Sequence, residues 1–129
     1  MRIAVKGRNT AVSEQLREHV EKRFHRISRQ VSELAELEVE LREERNPAIR
    51  DSQVAEATLH LKGVTLRAHD ASPDMLRSVN LCAAELARQV KRHRVKRRRR
   101  REARAAQAPG IVTELDRGPA SGGDVSPAA

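Results

Sequence analysis

The chain has 129 residues, 38 % of them hydrophobic and 34 % charged, which leaves room for one small domain with flanking segments. No stretch approaches the roughly 18 apolar residues of a membrane span, and the first residues, MRIAVKGRNT, lack the apolar region of a signal peptide. The single cysteine, Cys82, excludes an internal disulfide and fits a reducing compartment. We therefore expect a soluble, cytoplasmic protein.

The first elements along the chain are predicted to be a strand, a helix and a second strand. Residues 2–6 alternate between polar and apolar, which predicts a short strand. A helix is predicted over 13–32, with Ser13 as its N-cap and Glu14 in its first turn. Its apolar residues recur every three or four positions: Leu16, Val20, Phe24, Ile27 and Val31. Residues 36–43 (ELEVELRE) alternate strictly and predict a strand with one solvent-facing side.

A hairpin and a second helix are predicted to follow a loop at Asn46-Pro47. Alternation resumes over 55–61 and 64–68, and Lys62-Gly63 between these runs predicts a tight turn. Ser72-Pro73-Asp74 is typical of a helix start. The second helix has its own apolar stripe: Met75, Val79, Cys82, Leu86 and Val90. No helix-breaking residue follows until Pro109-Gly110.

This order, β-α-β-β-β-α, predicts the fold class. A right-handed crossover would pair the first two strands in parallel, with the other pairs antiparallel. Each strand has one apolar face, so both helices must pack on the same side of the sheet. We expect an α/β two-layer sandwich with a four-stranded mixed sheet. We assign residues 1–97 to this domain, 98–108 to a basic arm that continues the last helix, and 109–129 to a disordered tail rich in Pro, Gly, Ser and Ala.

The net charge of +8 comes from one segment. Residues 88–104 contain 11 of the 26 lysines and arginines and one acidic residue, Glu102. Five consecutive arginines occupy positions 97–101, whereas the rest of the chain has a small excess of acidic residues. Such segregation of charge is typical of a protein that binds a polyanion.

Both predicted helices also have basic residues on the side opposite their apolar stripes. A solvated face is the ordinary interpretation of one such stripe, but two stripes that lead into an arginine run favour a nucleic-acid surface. The candidates are Lys22, Arg26 and Arg29 on the first helix, Arg77, Arg88 and Lys91 on the second, and the arm from Arg92 onward, including Arg94, Lys96 and Arg97.

The aromatic content narrows the type of partner. The chain has one Phe and no Trp or Tyr, so it lacks the stacking platforms of single-strand binders and sequence-specific RNA readers. Membrane binding would need apolar or aromatic anchors beside the basic run, and none is present. Recognition of folded nucleic acid through its phosphates and shape is the interpretation that remains.

No catalytic constellation is visible. The five histidines lack metal-ligand spacing, no glycine-rich phosphate loop occurs, and the acidic residues over 36–44 are typical of a solvent-facing strand and its loop. We expect neither an enzyme nor a metal, a cofactor or a small-molecule substrate.

Residues 1–97 resemble the ribosome hibernation promoting factors, also called ribosome-associated inhibitors. The resemblance covers MRIAVKGRN, VSEQLREHVEKRFHRI and, most specifically, HDASPDMLRSVNLCAAELARQVKRHRVK. In the last segment Asp74-Met75, Asn80, Leu86 and Arg88-Gln89, with the basic residues after them, follow the family's Asp-Met-Tyr…Leu-Glu-Arg-Gln…Lys pattern.

The resemblance implies a cytoplasmic factor of stress or stationary phase that occupies the mRNA and tRNA channel of the small ribosomal subunit. By position, the implied contacts with ribosomal RNA are Lys22, Arg23, Arg26, Arg88, Lys91, Arg92 and Lys96. Leu76 stands where the family usually has Tyr, and only Ile111-Val112 resembles the start of the C-terminal dimerisation domain of long members. We therefore expect a short form that is monomeric off the ribosome. The alternative is a general nucleic-acid-binding protein, of nucleoid or double-stranded-RNA type, that uses the basic arm.

Overall fold

The computed structural model describes residues 1–107 and contains four strands and two helices. The elements are β1 (Arg2–Arg8), α1 (Glu14–Ser28), β2 (Glu36–Glu43), β3 (Gln53–Leu61), β4 (Val64–Ser72) and α2 (Met75–Gln107). This order confirms the β-α-β-β-β-α prediction. The tail expected over 109–129 lies outside the described residues.

The chain divides into two units, one of residues Met1–Arg92 and one that begins at His93. The first unit holds the whole sheet, α1 and the first part of α2, and the second begins within α2. The division into residues 1–97, 98–108 and 109–129 remains a proposal.

The four strands form one sheet in the order β1-β2-β3-β4. β1 pairs with β2 in parallel, and the other two pairs are antiparallel. The parallel pair requires a crossover, which α1 provides. One row of the register crosses the sheet from Val5 through Val39 and Ala57 to Ala68, and all four side chains are buried. Small and β-branched residues in this row let the helices pack close to the sheet.

The core lies between the helices and one face of the sheet. Along β2, Leu37, Val39 and Leu41 are buried, as the strict alternation predicted. The helices contribute the fully or almost fully buried residues Val20, Phe24 and Ile27 from α1 and Val79, Cys82, Leu86 and Val90 from α2. These side chains and the inward strand residues form a single cluster. Both helices therefore cover the same sheet face, which confirms the two-layer sandwich.

The two helix starts differ in how well the local sequence predicts them. Ser13 is the N-cap of α1, and its Oγ accepts a hydrogen bond from the Leu16 amide at 3.1 Å. Ser72, in contrast, is the last residue of β4 and is buried, and its Oγ lies 2.7 Å from the Ser78 Oγ. The carbonyl of Asp74 accepts the first helical bond, from the Ser78 amide at 3.0 Å. Sheet pairing holds Ser72, so α2 begins at Met75, after the predicted start.

Two glycines are required by the backbone. Gly63 has φ of +80° in the turn between β3 and β4, a conformation that other residues adopt only with strain. At Gly7 the chain folds back closely, and a Cβ would lie 2.3 Å from the Thr10 carbonyl oxygen. This close approach keeps the end of β1 against the segment that enters α1.

Candidate nucleic-acid interface

The basic residues of α1 lie on its exposed side. One contact between the helices shows which flank of α1 faces α2. Lys22, Arg23, Arg26 and Arg29 are all exposed. His19 Nε2 lies 3.0 Å from Asn80 Oδ1 of α2, within hydrogen-bond distance. Arg23 and Arg26 follow His19 by four and seven positions, so they share the flank of α1 that faces α2.

The facing flank of α2 combines small residues with two cations. The stripe of α2 that contains Asn80 also contains Arg77, three positions before it. Two further residues of this stripe are Ala84 and Lys91, four and eleven positions after Asn80. Ala84 and Ala87 are half-buried, whereas Arg77 and Lys91 are exposed. Arg23 and Arg26 on α1 and Arg77 and Lys91 on α2 therefore lie on the two flanks that the contact between His19 and Asn80 brings together, and we call these four cations the α1–α2 furrow.

The acidic residues of α1 lie on its other flank. Glu14, Glu18 and Glu21 are spaced by four and three positions and form a stripe away from α2. All three are exposed. This segregation leaves positive charge on the α2 side of the helix. The sequence shows the spacing, but only the contact between His19 and Asn80 shows which flank faces the furrow.

Glu85 holds two of the predicted contact residues. Arg88 donates from Nε and Nη2 to Glu85 Oε1 at 3.2 and 2.7 Å, and Arg92 Nη2 lies 3.8 Å from Oε2. Gln89 donates to Oε2 at 3.1 Å. The hydrogen bonds from Arg88 and Gln89, together with both guanidinium charges, lower the pKa of Glu85. Glu85 thus orients Arg88 and Arg92 and partly neutralises their charge. The sequence prediction missed this effect, although Glu85 and Arg88 have the spacing of a helical ion pair.

The outer face of the sheet differs from the helix surface because three of its cations, Arg2, Lys6 and Arg42, each lie near a carboxylate. Arg42 contacts Glu56 at 3.3 Å, and longer pairs join Arg2 to Glu36 at 3.7 Å and Lys6 to Glu40 at 3.9 Å. On the helices, no carboxylate within residues 1–107 lies within 4.0 Å of the charged nitrogens of six cations: Lys22, Arg23, Arg26, Arg29, Arg77 and Lys91. Their charge is therefore available to an external anion.

The remaining predicted contacts belong to the second unit. Arg94, Lys96 and Arg97 are exposed and lie on the helical segment that extends α2 to Gln107. Of the eleven predicted site residues, the first unit therefore holds eight, on α1 and on α2 up to Arg92, and the second unit holds these three.

The described residues contain one buried thiol and neither a membrane-spanning helix nor a metal cluster. Within residues 1–107 no helix is both long enough and apolar enough to cross a membrane. In the same range no group of three or more His, Cys, Asp or Glu side chains could hold a metal ion. Cys82 is fully buried, and its burial, followed by the charge of Asp70, raises the pKa of the thiol to about 12. Its Sγ lies 3.5 Å from the Ala68 carbonyl oxygen, so this thiol packs in the core.

The fold and the unpaired cations are typical of a small α/β domain that binds a polyanion. Residues 3–98 match the family described as Sigma 54 modulation protein / S30EA ribosomal protein, and the chain belongs to this family. The membership confirms the resemblance found in the sequence. The match ends at residue 98, whereas α2 continues to Gln107.

Curated relatives of two lengths are similar to the chain. It is 28 % identical over 97 residues to a ribosome hibernation promotion factor of Picosynechococcus sp., covering 74 % of this chain and 50 % of the relative. It is 29 % identical over 110 residues to a ribosome hibernation promoting factor of Azotobacter vinelandii, covering 84 % and 98 %. The chain thus spans half of the first relative and almost all of the second.

Two solved structures share the fold. The N-terminal domain of Thermus thermophilus Protein Y has a TM-score of 0.62 and 26 % identity, over 72 % of this chain and 99 % of that domain. A ribosomal subunit interface protein from Coxiella burnetii has the same TM-score with 24 % identity, over 74 % and 99 %. At this identity the second comparison shows the fold alone.

Proposed function

We propose that the protein is a ribosome-binding inhibitor of translation that occupies the mRNA and tRNA channel of the small subunit. Family membership and the names of the curated relatives support the ribosome as partner. The observation that carries the proposal is the group of six helix cations with no carboxylate within 4.0 Å in residues 1–107, in contrast to Arg2, Lys6 and Arg42 of the sheet, which each lie near one. Binding of this kind needs no cofactor and no catalytic group.

The mechanism is occlusion by a rigid polycation. The furrow residues Arg23, Arg26, Arg77 and Lys91 stand on helices fixed by one buried core. Their spacing is therefore set before binding, and rigid spacing lets phosphate contacts orient a protein as well as hold it. A domain docked in this way excludes tRNA and mRNA by its volume.

Different cations have different roles in this proposal. Lys22 and Arg29 extend the furrow outward, and their contacts add affinity. Arg88 and Arg92 bind phosphate while they remain oriented by Glu85, since a guanidinium has donors on several edges. Arg94, Lys96 and Arg97 add attraction that does not depend on the geometry of the first unit. Without aromatic side chains for stacking beyond one buried Phe, recognition depends on phosphate positions and groove shape.

In vitro translation tests the inhibition. Replacement of Arg88, Lys91 and Arg92 by Ala should abolish the block, because it removes oriented contacts from one face. The matched control replaces the exposed sheet cations Arg2, Lys6 and Arg8 by Ala, which removes the same charge, and should inhibit like the parent protein. Equal loss in both variants would show that net charge, and not the helix surface, carries the inhibition.

Displacement of tRNA tests the position on the ribosome. Small subunits loaded with labelled tRNA and mRNA should release tRNA as the protein is added. Binding to the subunit without release of either RNA would place the protein outside the channel and refute the occlusion mechanism.

A general nucleic-acid-binding role is the second candidate. Eight of the eleven residues from 94 to 104 are basic, and four of these eight lie beyond the family match. Truncation after Lys96 distinguishes the candidates. A channel-binding inhibitor should keep its block at high protein concentration, and in cell extracts it should sediment with ribosomes. A general binder should lose its activity and sediment with the nucleoid.

A further inference from the structure

The arginine arm, defined as residues 94–104, is a helix with a surplus of like charges. Arg94, Lys96, Arg97–Arg101 and Arg104 are basic, and Glu102 is the one acidic residue of the arm. All of these side chains are exposed. The helix that contains them continues without interruption to Gln107.

One face of the arm consists of arginine. Arg94, Arg97, Arg98, Arg101 and Arg104 recur at steps of one or three positions and therefore share one side of the helix. From Arg94 to Arg104 this row is about 15 Å long at the usual helical rise. A row of guanidinium groups on this scale can contact several successive phosphates, each through paired donors.

Repulsion between these arginines destabilises the helix that contains them. Every basic residue of the arm has another basic residue three or four positions away, and like charges at this spacing destabilise a helix. Within the part of the chain that the structure describes, Glu102 has no cation within 4.0 Å. Val95 and Ala103 give the arm little apolar surface to bury. Arginine and alanine favour helix by propensity, so charge repulsion is the main opposing effect.

We propose that the arginine arm is a second RNA-binding element and that the phosphates it binds stabilise its helix. A ligand that binds the helix better than the coil shifts the equilibrium towards helix. The arm thus couples its own folding to the presence of a dense row of phosphates.

The chemistry of the arm favours RNA over other polyanions. A membrane-surface helix needs large apolar residues opposite its basic face, and the arm has only Val95 and Ala103 as non-polar residues. Seven of its eight cations are arginine, the residue suited to bidentate phosphate contacts. The choice of RNA over DNA rests on the proposed function, which brings the arm to ribosomal RNA.

Hydrogen exchange of the arm amides tests the coupling. In the full chain at low salt, protection of residues 94–104 should rise at least tenfold when a short RNA duplex is added. The test variant replaces four arginines of the row, Arg97, Arg98, Arg101 and Arg104, by Gln, which keeps helix propensity and removes repulsion. Its arm should be protected without RNA and gain nothing from RNA. The slope of its log affinity against log salt should be smaller by about 3 units, for four lost contacts.

A matched control removes four exposed cations elsewhere. It replaces Arg2, Lys6, Arg8 and Arg50 by Gln, and should keep both the protection response and the duplex affinity of the parent protein. Tight duplex binding with no change in arm protection would overturn the coupling. Unchanged affinity in the arm variant would overturn the arm as a binding element, and tighter binding to DNA duplex or to anionic vesicles would overturn RNA as its partner.

The assay on an isolated duplex separates this inference from the proposed function. A protein that inhibits translation but shows no arm response would refute the arm proposal alone. A protein whose arm responds to the duplex but which does not bind ribosomes would refute the proposed function, and with it the choice of RNA, while the phosphate coupling would stand.

Discussion

Salt dependence gives a quantitative test of the α1–α2 furrow. The perturbation is the double replacement Arg26→Gln and Lys91→Gln, one cation from each wall. Both side chains are exposed, and neither has a carboxylate within 4.0 Å in residues 1–107. Their loss should therefore change stability by only about 0.5 kcal/mol, the usual range for surface substitutions. Each lost phosphate contact lowers the slope of log affinity against log salt by about 0.7 to 0.9, so two contacts lower it by about 1.4 to 1.8.

The assay is sedimentation of labelled protein with small subunits over a salt series. Between about 50 and 200 mM salt, the affinity of the parent protein should fall by about 7- to 12-fold more than that of the variant. The control Arg2→Gln with Lys6→Gln removes the same charge from the sheet face, where each cation already has a carboxylate nearby. An equal drop of slope in the control, or an unchanged slope in the furrow variant, would refute the assignment of phosphate contacts to the furrow.

Three further predictions concern the first unit. Leu86→Ala removes a fully buried side chain of α2 and should lower the free energy of unfolding by about 2–5 kcal/mol; urea denaturation measures it, and a loss within experimental error would contradict the described core. Gly7→Ala would place a Cβ 2.3 Å from the Thr10 carbonyl oxygen and should cost about 1–3 kcal/mol in the same assay, whereas no loss would mean that the backbone there moves freely. Because burial raises the pKa of Cys82 to about 12, its thiol should resist labelling at pH 8 until the protein unfolds. The unfolded thiol ionises from about pH 8.5. The contribution of Cys82 to the free energy of unfolding is therefore complete below that pH and decreases as the pH rises towards 12. The variant Cys82→Ala should lack this decrease.

The fold was predictable because its hydrophobic patterns are regular. The alternation of Leu37, Val39 and Leu41 indicates a half-buried strand, and this face is buried in the structure. Helical spacing was less informative about where a helix ends. Val31 continues the apolar stripe of α1 and packs against the core, yet the helix ends at Ser28. Spacing shows which side chains reach the core and does not show how far the backbone hydrogen bonds continue.

The arrangement of the candidate site depended on contacts between distant residues. The sequence predicted which cations lie away from the apolar stripes, and all of them are exposed. The sequence could not show that His19 contacts Asn80, because these two residues are 61 positions apart and lie on different helices. Nor did it distinguish Lys91, which has no partner in residues 1–107, from Arg88, which binds Glu85 through two donors. This distinction separates cations that are available to a ligand from cations that must share an existing partner.

The six helix cations without a carboxylate within 4.0 Å in residues 1–107 give the first unit an electric dipole that points towards its helices. In the field of a polyanion such a dipole experiences a torque, so the unit rotates its helices towards the phosphates before contact. The torque acts over about a Debye length, roughly 10 Å at 0.1 M salt, so it acts while several layers of water still separate the surfaces. Encounters that begin with the sheet facing the partner are thereby corrected during approach. The ion pairs of β2 and β3 thus influence the rate at which the helix surface binds, although these pairs lie on the opposite side of the sheet.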